Sequence, residues 1–434
     1  MNYNEAMDYI KKTAKFGSKL GLDNMHRLLK KLDNPEKKLS VIHVAGTNGK
    51  GSSCAFISNI LETAGYKVGL YTSPSIEGFN GRIKINGESI SDKNLVNLTN
   101  KVRGQITELV EEGFDHPTEF EIVTAIAFQY FYEKEVDYLV LEVGLGGRLD
   151  ATNVVENPLL SVITPIAFDH MDYLGDSIEE IAHAKAGIVK QNGFVVSAPQ
   201  LSGALQVIKE ECLKENSKLY IQDLRDLKIN FSHLSTQGFD VKIFDKLFSS
   251  LEIKLIGDHQ IENAGLALMA IEILRTKRNV VIEDRHIYDG LKETNWAGRF
   301  EIIKDKPLTI IDGAHNVHAA KRLNENINKL LSGRDITLVI GMLGDKDVDG
   351  VLNFVVPFSK RVIVTTPQNP RALEANALGK KIKLIDEKID IKTTKSIESA
   401  VQQAYEITPE RDVILFVGSL YMINEVRHCI KKSD

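Results

Sequence analysis

The feature that most constrains the fold is a glycine-rich turn between an apolar strand and a helix. The run Leu39 to Ala45 is short, apolar and β-branched, and Ser53 to Ala64 has helical periodicity. Between them, backbone N–H groups and the positive end of the helix dipole would converge on a bound anion. The sequence therefore predicts a phosphate-binding loop.

This P-loop is a variant of the usual GxxxxGK[ST] pattern. The pattern would have Gly where Val44 stands and Ser or Thr where Gly51 stands. Lys50 can reach the outer phosphates of a nucleotide, and the Ser52 hydroxyl can approach a metal ion. The candidate nucleotide-binding residues of the loop are Gly46, Thr47, Asn48, Gly49, Lys50, Gly51 and Ser52.

The same alternation of strands and helices continues after the loop. It predicts helices over Phe120 to Glu133 and Ser177 to Lys190, and strands over Tyr138 to Val143 and Leu159 to Thr164. Such alternation is typical of a parallel sheet covered by helices on both faces.

A change of pattern and a second alternation follow. Alternating segments between residues 216 and 256 predict a small insertion of antiparallel strands, at Leu227 to Phe231, Phe239 to Ile243 and Leu251 to Leu255. A helix is predicted near Glu262 to Thr276. The later strands are predicted at Leu308 to Asp312, Ile336 to Gly341, Arg361 to Thr365 and Val413 to Val417. We expect an α/β protein with a P-loop domain at 1–296 and a smaller Rossmann-like domain at 297–434.

Composition favours a protein that acts on small molecules. The length of 434 residues suits two domains. The net charge is −5 and the chain has no long basic run, which argues against nucleic acid or an anionic membrane surface as a partner. The three cysteines lack metal-site spacing. The segment Met1 to Lys19 lacks the apolar region of a signal peptide, so we expect a cytoplasmic protein.

Several further motifs accompany the P-loop in a fixed order. They are Thr72-Ser-Pro74, Glu142-Val-Gly-Leu-Gly-Gly-Arg-Leu-Asp-Ala-Thr-Asn153, Asp169-His170, Ala184-Lys-Ala-Gly187, Gly298-Arg-Phe300, Asp312-Gly-Ala-His-Asn316 and Gly418-Ser-Leu-Tyr421. Together with the GTNGKGS loop, they resemble the motifs of folylpolyglutamate synthases and dihydrofolate synthases, members of the Mur ligase family. The resemblance spans residues 43–421.

The resemblance implies an ATP-dependent amide ligase. In that chemistry a pteroate or glutamyl carboxylate attacks the ATP γ-phosphate to give an acyl phosphate and ADP, and the amino group of L-glutamate then displaces phosphate. The implied substrates are ATP, a folate and L-glutamate. Whether dihydropteroate is also accepted stays open.

Such a reaction needs cations that neutralise a carboxylate and a polyphosphate, a role suited to Mg²⁺. Glu142 closes an apolar strand, which places a carboxylate at the ligand-binding edge of a parallel sheet. The resemblance implies two Mg²⁺ ions, with Ser73 and Glu142 at the first and His170 at the second. Taken alone, the turn at Ser73 is more often only a turn.

The resemblance also assigns roles to five residues around the nucleotide. Lys185 stands in a helix rich in Ala and Ile, where an unpaired ammonium is costly, and the family carries a carbamylated lysine there. Asn263 corresponds to a contact with the nucleotide base, and Arg299 to a residue that reaches the nucleotide. Asp312 and His315 handle ATP and glutamate; the motif continues with Val317 where the family commonly has Pro.

The substrate side carries weaker signals. Phe120 either stacks on the pterin ring or is a core aromatic at a helix start. Arg82 lies in the folate-side loop, in which Ser75 and Gly81 replace the family's usual His and Glu. Ser419, with His315, is a further substrate-binding candidate.

Three rival interpretations remain. A cell-wall Mur ligase would place a UDP-sugar-binding domain before the P-loop, and the 45 residues before Gly46 are too few for that domain. A regulatory P-loop NTPase would leave the second domain with Asp312 and His315 unexplained. A nonenzymatic descendant would be expected to lack Lys50, Glu142 or another of the key side chains. We expect a monomer, since one chain supplies both domains.

Overall fold

A computed structural model of the chain describes residues 1–13 and 21–433, so part of the N-terminal segment in the signal-peptide argument lies outside the described residues. The polypeptide forms two units. The first comprises residues 1–228, 241–251 and 262–294, and the second comprises 229–240, 252–261 and 295–434. Among the described residues, we find no helix with the length and hydrophobicity needed to span a bilayer.

The first unit is built on an eight-stranded sheet. Its strands are β1 (Val41–Ala45), β2 (Val68–Tyr71), β3 (Ile83–Ile85), β4 (Glu88–Ser89), β5 (Tyr138–Glu142), β6 (Leu160–Ile163), β7 (Phe194–Ser197) and β8 (Lys218–Ile221). They lie in the order β4-β3-β2-β5-β1-β6-β7-β8. Among the described strands of this sheet only β3 runs against the others, since it pairs antiparallel with both β2 and β4. β1 therefore lies between β5 and β6, and all five of its residues are buried.

Helices cover both faces of this sheet. They are α1 (Tyr3–Lys12), α2 (Asp23–Lys31), α3 (Lys50–Thr63), α4 (Asp92–Glu111), α5 (Glu119–Glu133), α6 (Met171–Leu174), α7 (Ile178–Ala186), α8 (Ser202–Lys214), α9 (Asp258–Lys277) and α10 (Asp284–Glu293), the N-terminal part of α9 lying in residues of the second unit. α1, α2, α4 and α5 pack into one core, and α7 and α8 pack over β6 and β7 in another.

A three-stranded sheet forms between α8 and α9. It consists of β9 (Leu227–Ser232), β10 (Gln237–Ile243) and β11 (Lys246–Ile253), in the order β11-β10-β9. The predicted β insertion is therefore present. The third strand begins earlier than the predicted Leu251, and β8, inside the segment expected to be antiparallel, joins the large sheet in parallel instead.

The second unit has its own six-stranded sheet. Its strands are β12 (Glu301–Asp305), β13 (Leu308–Asp312), β14 (Ile336–Ile340), β15 (Arg361–Val364), β16 (Asp390–Thr393) and β17 (Val413–Val417), in the order β12-β13-β17-β14-β15-β16. Its helices are α11 (Val317–Leu330), α12 (Val348–Val355), α13 (Ala375–Ile385), α14 (Ile397–Ile407) and α15 (Leu420–Ser433). β12 pairs antiparallel with β13, and the other described pairings in this sheet are parallel.

The strand sequences of the second unit explain why helices cover both faces. Successive residues of a strand point to opposite faces. Leu338 and Leu415 belong to the core under α11, α12 and α13, whereas Val339 and Phe416 belong to the core under α14 and α15. Continuous apolar strands of this kind predict a parallel sheet buried on both sides, which is confirmed.

The sequence-based boundaries agree with the structure in the strands that end near candidate site residues. The predicted β13 and β17 match in full. The helix predicted over Ser177 to Lys190 was too long, because α7 ends at Ala186 and Gly187 is its C-cap. The parallel strand β7 and the parallel edge strands β8 and β16 were missed.

Candidate functional site

The P-loop connects the carboxyl end of β1 to the first turn of α3. Gly49, with φ of 87°, is the N-cap residue of α3 and supplies no capping side chain. Thr47 and Asn48 donate their backbone N–H groups to Pro165 O at 3.0 and 3.2 Å, which fixes the first half of the loop. The first-turn N–H groups of α3 have no acceptor within the helix, so they present an anion-binding helix end.

Two lysines contact the same side of the loop. Lys50 Nζ donates to Gly46 O at 3.2 Å and to Thr47 O at 3.3 Å. Lys185, in the last turn of α7, donates from Nζ to Gly46 O at 2.8 Å. Two ammonium groups therefore meet on one backbone carbonyl, and the structure brings together these two predicted site residues.

The electrostatic setting of Lys185 disfavours its charged form. Burial, with the positive charge of Lys50, lowers the pKa of Lys185 to about 7, although the negative charges of Asp169 and Asp150 oppose the shift. Desolvation of an ammonium is the dominant cause. A substantial fraction of neutral amine at neutral pH follows.

Glu142 and Ser73 lie together beside the loop. Glu142 ends β5, in register with Val44 of β1, and it is buried. Its Oε2 accepts the Ser73 backbone N–H at 3.2 Å. Burial and then the Glu142 charge raise the pKa of the Cys54 thiol on α3, while Lys50 lowers it, so the carboxylate and the ammonium both act on the first turns of α3.

His170 lies at the N-cap of α6 in the left-handed region, with φ of 54°. Its backbone N–H donates to Asp169 Oδ1 at 2.9 Å, and its Nε2 lies 3.8 Å from the same oxygen. Among the residues that the structure describes, no group of three or more His, Cys, Asp and Glu side chains is arranged to hold a metal ion. The metal-ligand set of Ser73, Glu142 and His170 stays a prediction.

Asn263, on α9, packs directly against the P-loop. A Cβ built on Gly49 would lie 2.4 Å from Asn263 Oδ1. The Asn263 side chain is buried at 5% exposure. The structure therefore brings this predicted nucleotide-binding residue to the N-terminus of α3.

Phe120 and Arg82 lie on the opposite side of β5 from β1. The Phe120 ring packs on Gly144, where a Cβ would lie 2.4 Å from the ring, and its centroid is 6.2 Å from that of Tyr71. Arg82 Nη1 lies 3.7 Å from Glu119 Oε1, and its guanidinium lies 4.9 Å from the centre of the Phe79 ring. A cation and an aromatic ring thus stand at the start of α5.

In the second unit, Asp312 shapes the turn after β13. Its Oδ2 accepts the Phe300 N–H and its Oδ1 accepts the Ala314 N–H, both at 2.8 Å. Burial raises the pKa of Asp312, while the positive charge of Arg299 and the two backbone donors oppose that shift. His315 shares a 2.8 Å hydrogen bond with Gly313 O through Nδ1, which makes Nδ1 the donor.

Ser419 lies after the neighbouring strand. Asp312 of β13 is in register with Val417 of β17, so the turns that carry the two predicted residues leave adjacent strand ends. Ser419 is buried at 2% exposure, and its Oγ accepts the Tyr421 N–H at 3.3 Å. Within this unit, Asp312, Arg299, His315 and Ser419 thus share the carboxyl edge of the sheet.

Sequence reasoning missed a buried polar chain behind the first site. His43 Nε2 lies 2.9 Å from Thr152 Oγ1, which donates to Asp150 Oδ1 at 2.5 Å, and Asp150 Oδ2 accepts the Leu145 N–H at 2.8 Å. Burial, with the charge of Lys190, lowers the pKa of His43 to about 3, so it is neutral. The signal in the sequence was a histidine inside an apolar strand, which required a polar partner.

Two family models match the chain. The model described as the Mur ligase middle domain matches residues 44–271, and the Mur ligase glutamate ligase domain matches residues 298–420. The chain belongs to the Mur ligase family.

Relatives within this family are more specific. The chain is 37% identical over 433 residues to the dihydrofolate synthase/folylpolyglutamate synthase of Bacillus subtilis, covering 99% of each chain. It is similar to the crystal structure of folylpolyglutamate synthase from Thermotoga maritima, with a TM-score of 0.85, 36% identity and coverage of 100% and 97%. It is also similar to E. coli FolC in complex with DHPP and ADP, with a TM-score of 0.87, 27% identity and coverage of 99% and 98%.

Proposed function

We propose that this chain ligates L-glutamate to folates at the expense of ATP, through an acyl phosphate. The observation that carries the proposal is the convergence of Lys50, Lys185 and Gly46 at the uncapped N-terminus of α3, with the buried carboxylate of Glu142 beside it. Family membership and full-length similarity to proteins named dihydrofolate synthase/folylpolyglutamate synthase support it.

The first half-reaction uses the P-loop. The ATP phosphates bind at the first turn of α3, where backbone donors and the helix dipole favour negative charge. Lys50 leaves the carbonyls of Gly46 and Thr47 to neutralise the outer phosphates, and Asn263 flanks the nucleotide. The folate or glutamyl carboxylate forms a bond to the γ-phosphorus as the bond to ADP breaks.

The oxygen donors at this edge of the sheet fit Mg²⁺. Glu142 offers a buried carboxylate, and Ser73 and Ser52 offer hydroxyl groups, which are the hard ligands that Mg²⁺ prefers. We propose that these residues, with His170 at a second ion, hold two Mg²⁺ ions. When bound, Mg²⁺ supplies charge neutralisation between the carboxylate and the triphosphate.

We also propose that Lys185 is carbamylated. Carbamylation requires a neutral amine, and the lowered pKa of about 7 provides one. The modification would replace a buried cation with an anion beside Lys50. Peptide mass spectrometry after mild trapping in bicarbonate tests it: an additional carboxyl mass on Lys185 is expected, and an unmodified peptide under these conditions contradicts it.

The second half-reaction is assigned to residues 297–434. We propose that His315 and Ser419 bind glutamate, that Arg299 contacts the nucleotide, and that Asp312 holds the turn that presents them and contacts ATP. The glutamate amine then forms the amide bond as phosphate leaves. The adjacent strand ends of β13 and β17 support this grouping.

A second acceptor is proposed on the basis of the relatives. The Bacillus subtilis protein carries both activities in its name, and the E. coli structure is a complex with DHPP. We propose that this chain accepts dihydropteroate as well as reduced folates, with Phe120 stacking on the ring and Arg82 beside it. We further propose a cytoplasmic monomer that needs no nucleic acid or membrane.

Product analysis tests the function. Purified protein receives ATP, Mg²⁺ and L-glutamate with either tetrahydrofolate or dihydropteroate, and products are resolved by mass. We expect one glutamate increment on each acceptor, with one ADP formed per bond. Formation of ADP without any ligated product would contradict the ligase assignment and favour a regulatory NTPase.

A further inference from the structure

The C-terminal end of α7, which carries Lys185, is capped by another part of the chain. The last four carbonyl groups of a helix have no partner inside the helix. In α7 two of these acceptors are satisfied by Arg148: its backbone N–H donates to Ala184 O at 2.7 Å, and its Nη2 lies 3.4 Å from His183 O. The two residues that precede Lys185 are therefore tied to the segment that follows β5.

The guanidinium of Arg148 also joins α7 to α8. Its Nη2 lies 3.0 Å from Glu211 Oε2, and the Glu211 side chain is only 8% exposed. Burial raises the pKa of Glu211, but the hydrogen bonds from Arg148 and Lys214 outweigh it and lower the pKa. A cation at a helix C-terminus also interacts favourably with the helix dipole. Arg148 thus has a fixed acceptor on each side.

The backbone at residues 147–148 and the C-terminal end of α7 lie so close together that neither can shift along the other. A Cβ on Gly187 would lie 2.3 Å from Arg148 Cβ, and a Cβ on Gly147 would lie 2.9 Å from the carbonyl oxygens of Ala184 and Lys185. Asn153 Nδ2 bridges Arg148 O at 3.0 Å and Gly187 O at 3.1 Å. The register between this loop and the end of α7 is therefore specified by glycines and by side-chain hydrogen bonds.

We propose that Arg148 is a positioning residue: by capping α7 and pairing with Glu211, it holds Lys185 Nζ on Gly46 O of the P-loop. This inference rests on the proposed function, in which Lys185 acts beside the phosphates. Arg148 touches neither the P-loop nor the nucleotide site in this arrangement. Its effect passes through the last turn of α7, where a shift of about 1 Å is enough to lower a catalytic rate about 100-fold.

The first test is steady-state kinetics on the full chain with Arg148→Ala, Arg148→Lys and Glu211→Gln. We expect kcat to fall at least about tenfold in Arg148→Ala and by a smaller factor in Glu211→Gln, with KM for ATP and for the folate within about threefold of wild type. Arg148→Lys should recover part of kcat, because a lysine can still donate to Glu211. Adding Glu211→Gln to Arg148→Ala should cause little further loss.

The matched control is Lys214→Ala, which removes the other, exposed partner of Glu211 at 3.2 Å. It should leave kcat unchanged. A lower melting temperature with unchanged kcat in Arg148→Ala would show a purely structural cap and overturn the proposal. An increase confined to KM for the folate would make Arg148 a substrate ligand, and would overturn it as well.

A second readout does not depend on turnover. Cyanate reacts with neutral amines, so its rate of reaction at Lys185 reports on the environment of this side chain. The rate is measured by peptide mass spectrometry at a series of pH values, with exposed lysines of the same digest as the reference. We expect the pH profile of Lys185 to move in Arg148→Ala and Glu211→Gln and to stay fixed in Lys214→Ala. An unmoved profile in folded Arg148→Ala would overturn the proposal, even if the wild-type protein formed no ligated product and the proposed function failed.

Discussion

Replacing Gly49 by alanine should separate nucleotide binding from folding. Gly49 has φ of 87°, a conformation that costs an L-residue about 1–2 kcal/mol. In addition, the new methyl group would lie 2.4 Å from Asn263 Oδ1, so the buried Asn263 side chain must move. Displacing a buried, hydrogen-bonded polar side chain costs about 1–3 kcal/mol.

Both costs arise at the N-cap of α3, where the proposed phosphate site lies. If the cost of displacing Asn263 alone is lost from the binding free energy, the affinity for an ATP analogue should fall by about fivefold to 140-fold, since about 1.4 kcal/mol corresponds to a factor of ten. Isothermal titration calorimetry with a nonhydrolysable analogue and Mg²⁺ measures this directly.

The chain offers a matched control at the other end of the same helix. Gly65 follows α3 with φ of 91°, and a Cβ built there meets nothing within 4 Å. Gly65→Ala should therefore lower the melting temperature about as much as the unfavourable backbone conformation alone does in Gly49→Ala. It should leave the affinity for the ATP analogue unchanged. Equal affinities in the two variants would refute the placement of the phosphate site at Gly49.

Four other substitutions give three distinct outcomes. Lys50→Ala and Glu142→Ala should each abolish ligation in the product assay while circular dichroism shows a folded protein. The first removes the cation proposed to neutralise the phosphates, and the second removes the carboxylate proposed to bind Mg²⁺. Wild-type rates in either variant would contradict the proposed site. Lys185 has a folded-state pKa of about 7, below its unfolded value, so between these two values the unfolded state binds more protons and a rising pH should stabilise the fold. Lys185→Met should lose this part of the rise in melting temperature with pH. The same dependence of melting temperature on pH in Lys185→Met and the wild-type protein would contradict the buried neutral amine. Asp312→Asn can accept only one of the N–H groups of Phe300 and Ala314, so it should destabilise the second unit by about 1–3 kcal/mol in a denaturant titration, and an unchanged midpoint would argue against the double acceptor.

The strands that form the centres of the sheets could be predicted because their sequences are continuous apolar runs. β1, β13 and β17 are buried along their whole length, so burial alone specifies them. Edge strands such as β8 and β16 have exposed terminal residues and mixed polarity, so their hydrophobic pattern resembles that of a loop. Their pairing depends on a neighbouring strand that is distant in sequence.

The candidate site was predictable as far as its residues end strands or begin helices. Gly49, Lys50, Glu142 and Asp312 all lie at such positions, where chain direction alone brings them to the carboxyl edge of a sheet. The contact of Lys185 Nζ with Gly46 O was not predictable, since it joins residues 139 positions apart. The capping of α7 by Arg148 was not predictable either. It also joins segments that are distant in the sequence, and it depends on the close approach of two backbones at Gly147 and Gly187.

The acyl phosphate is tested most directly by a single-turnover ligation with unlabelled ATP and a folate whose carboxylate carries ¹⁸O. If the folate carboxylate, labelled with ¹⁸O, attacks the γ-phosphate, one labelled oxygen must appear in the released phosphate together with the glutamate-extended folate. We predict this transfer in the wild-type protein and its loss in Lys50→Ala. Ligated product with unlabelled phosphate would contradict the acyl phosphate, and labelled substrate recovered intact beside ADP would contradict the ligase itself.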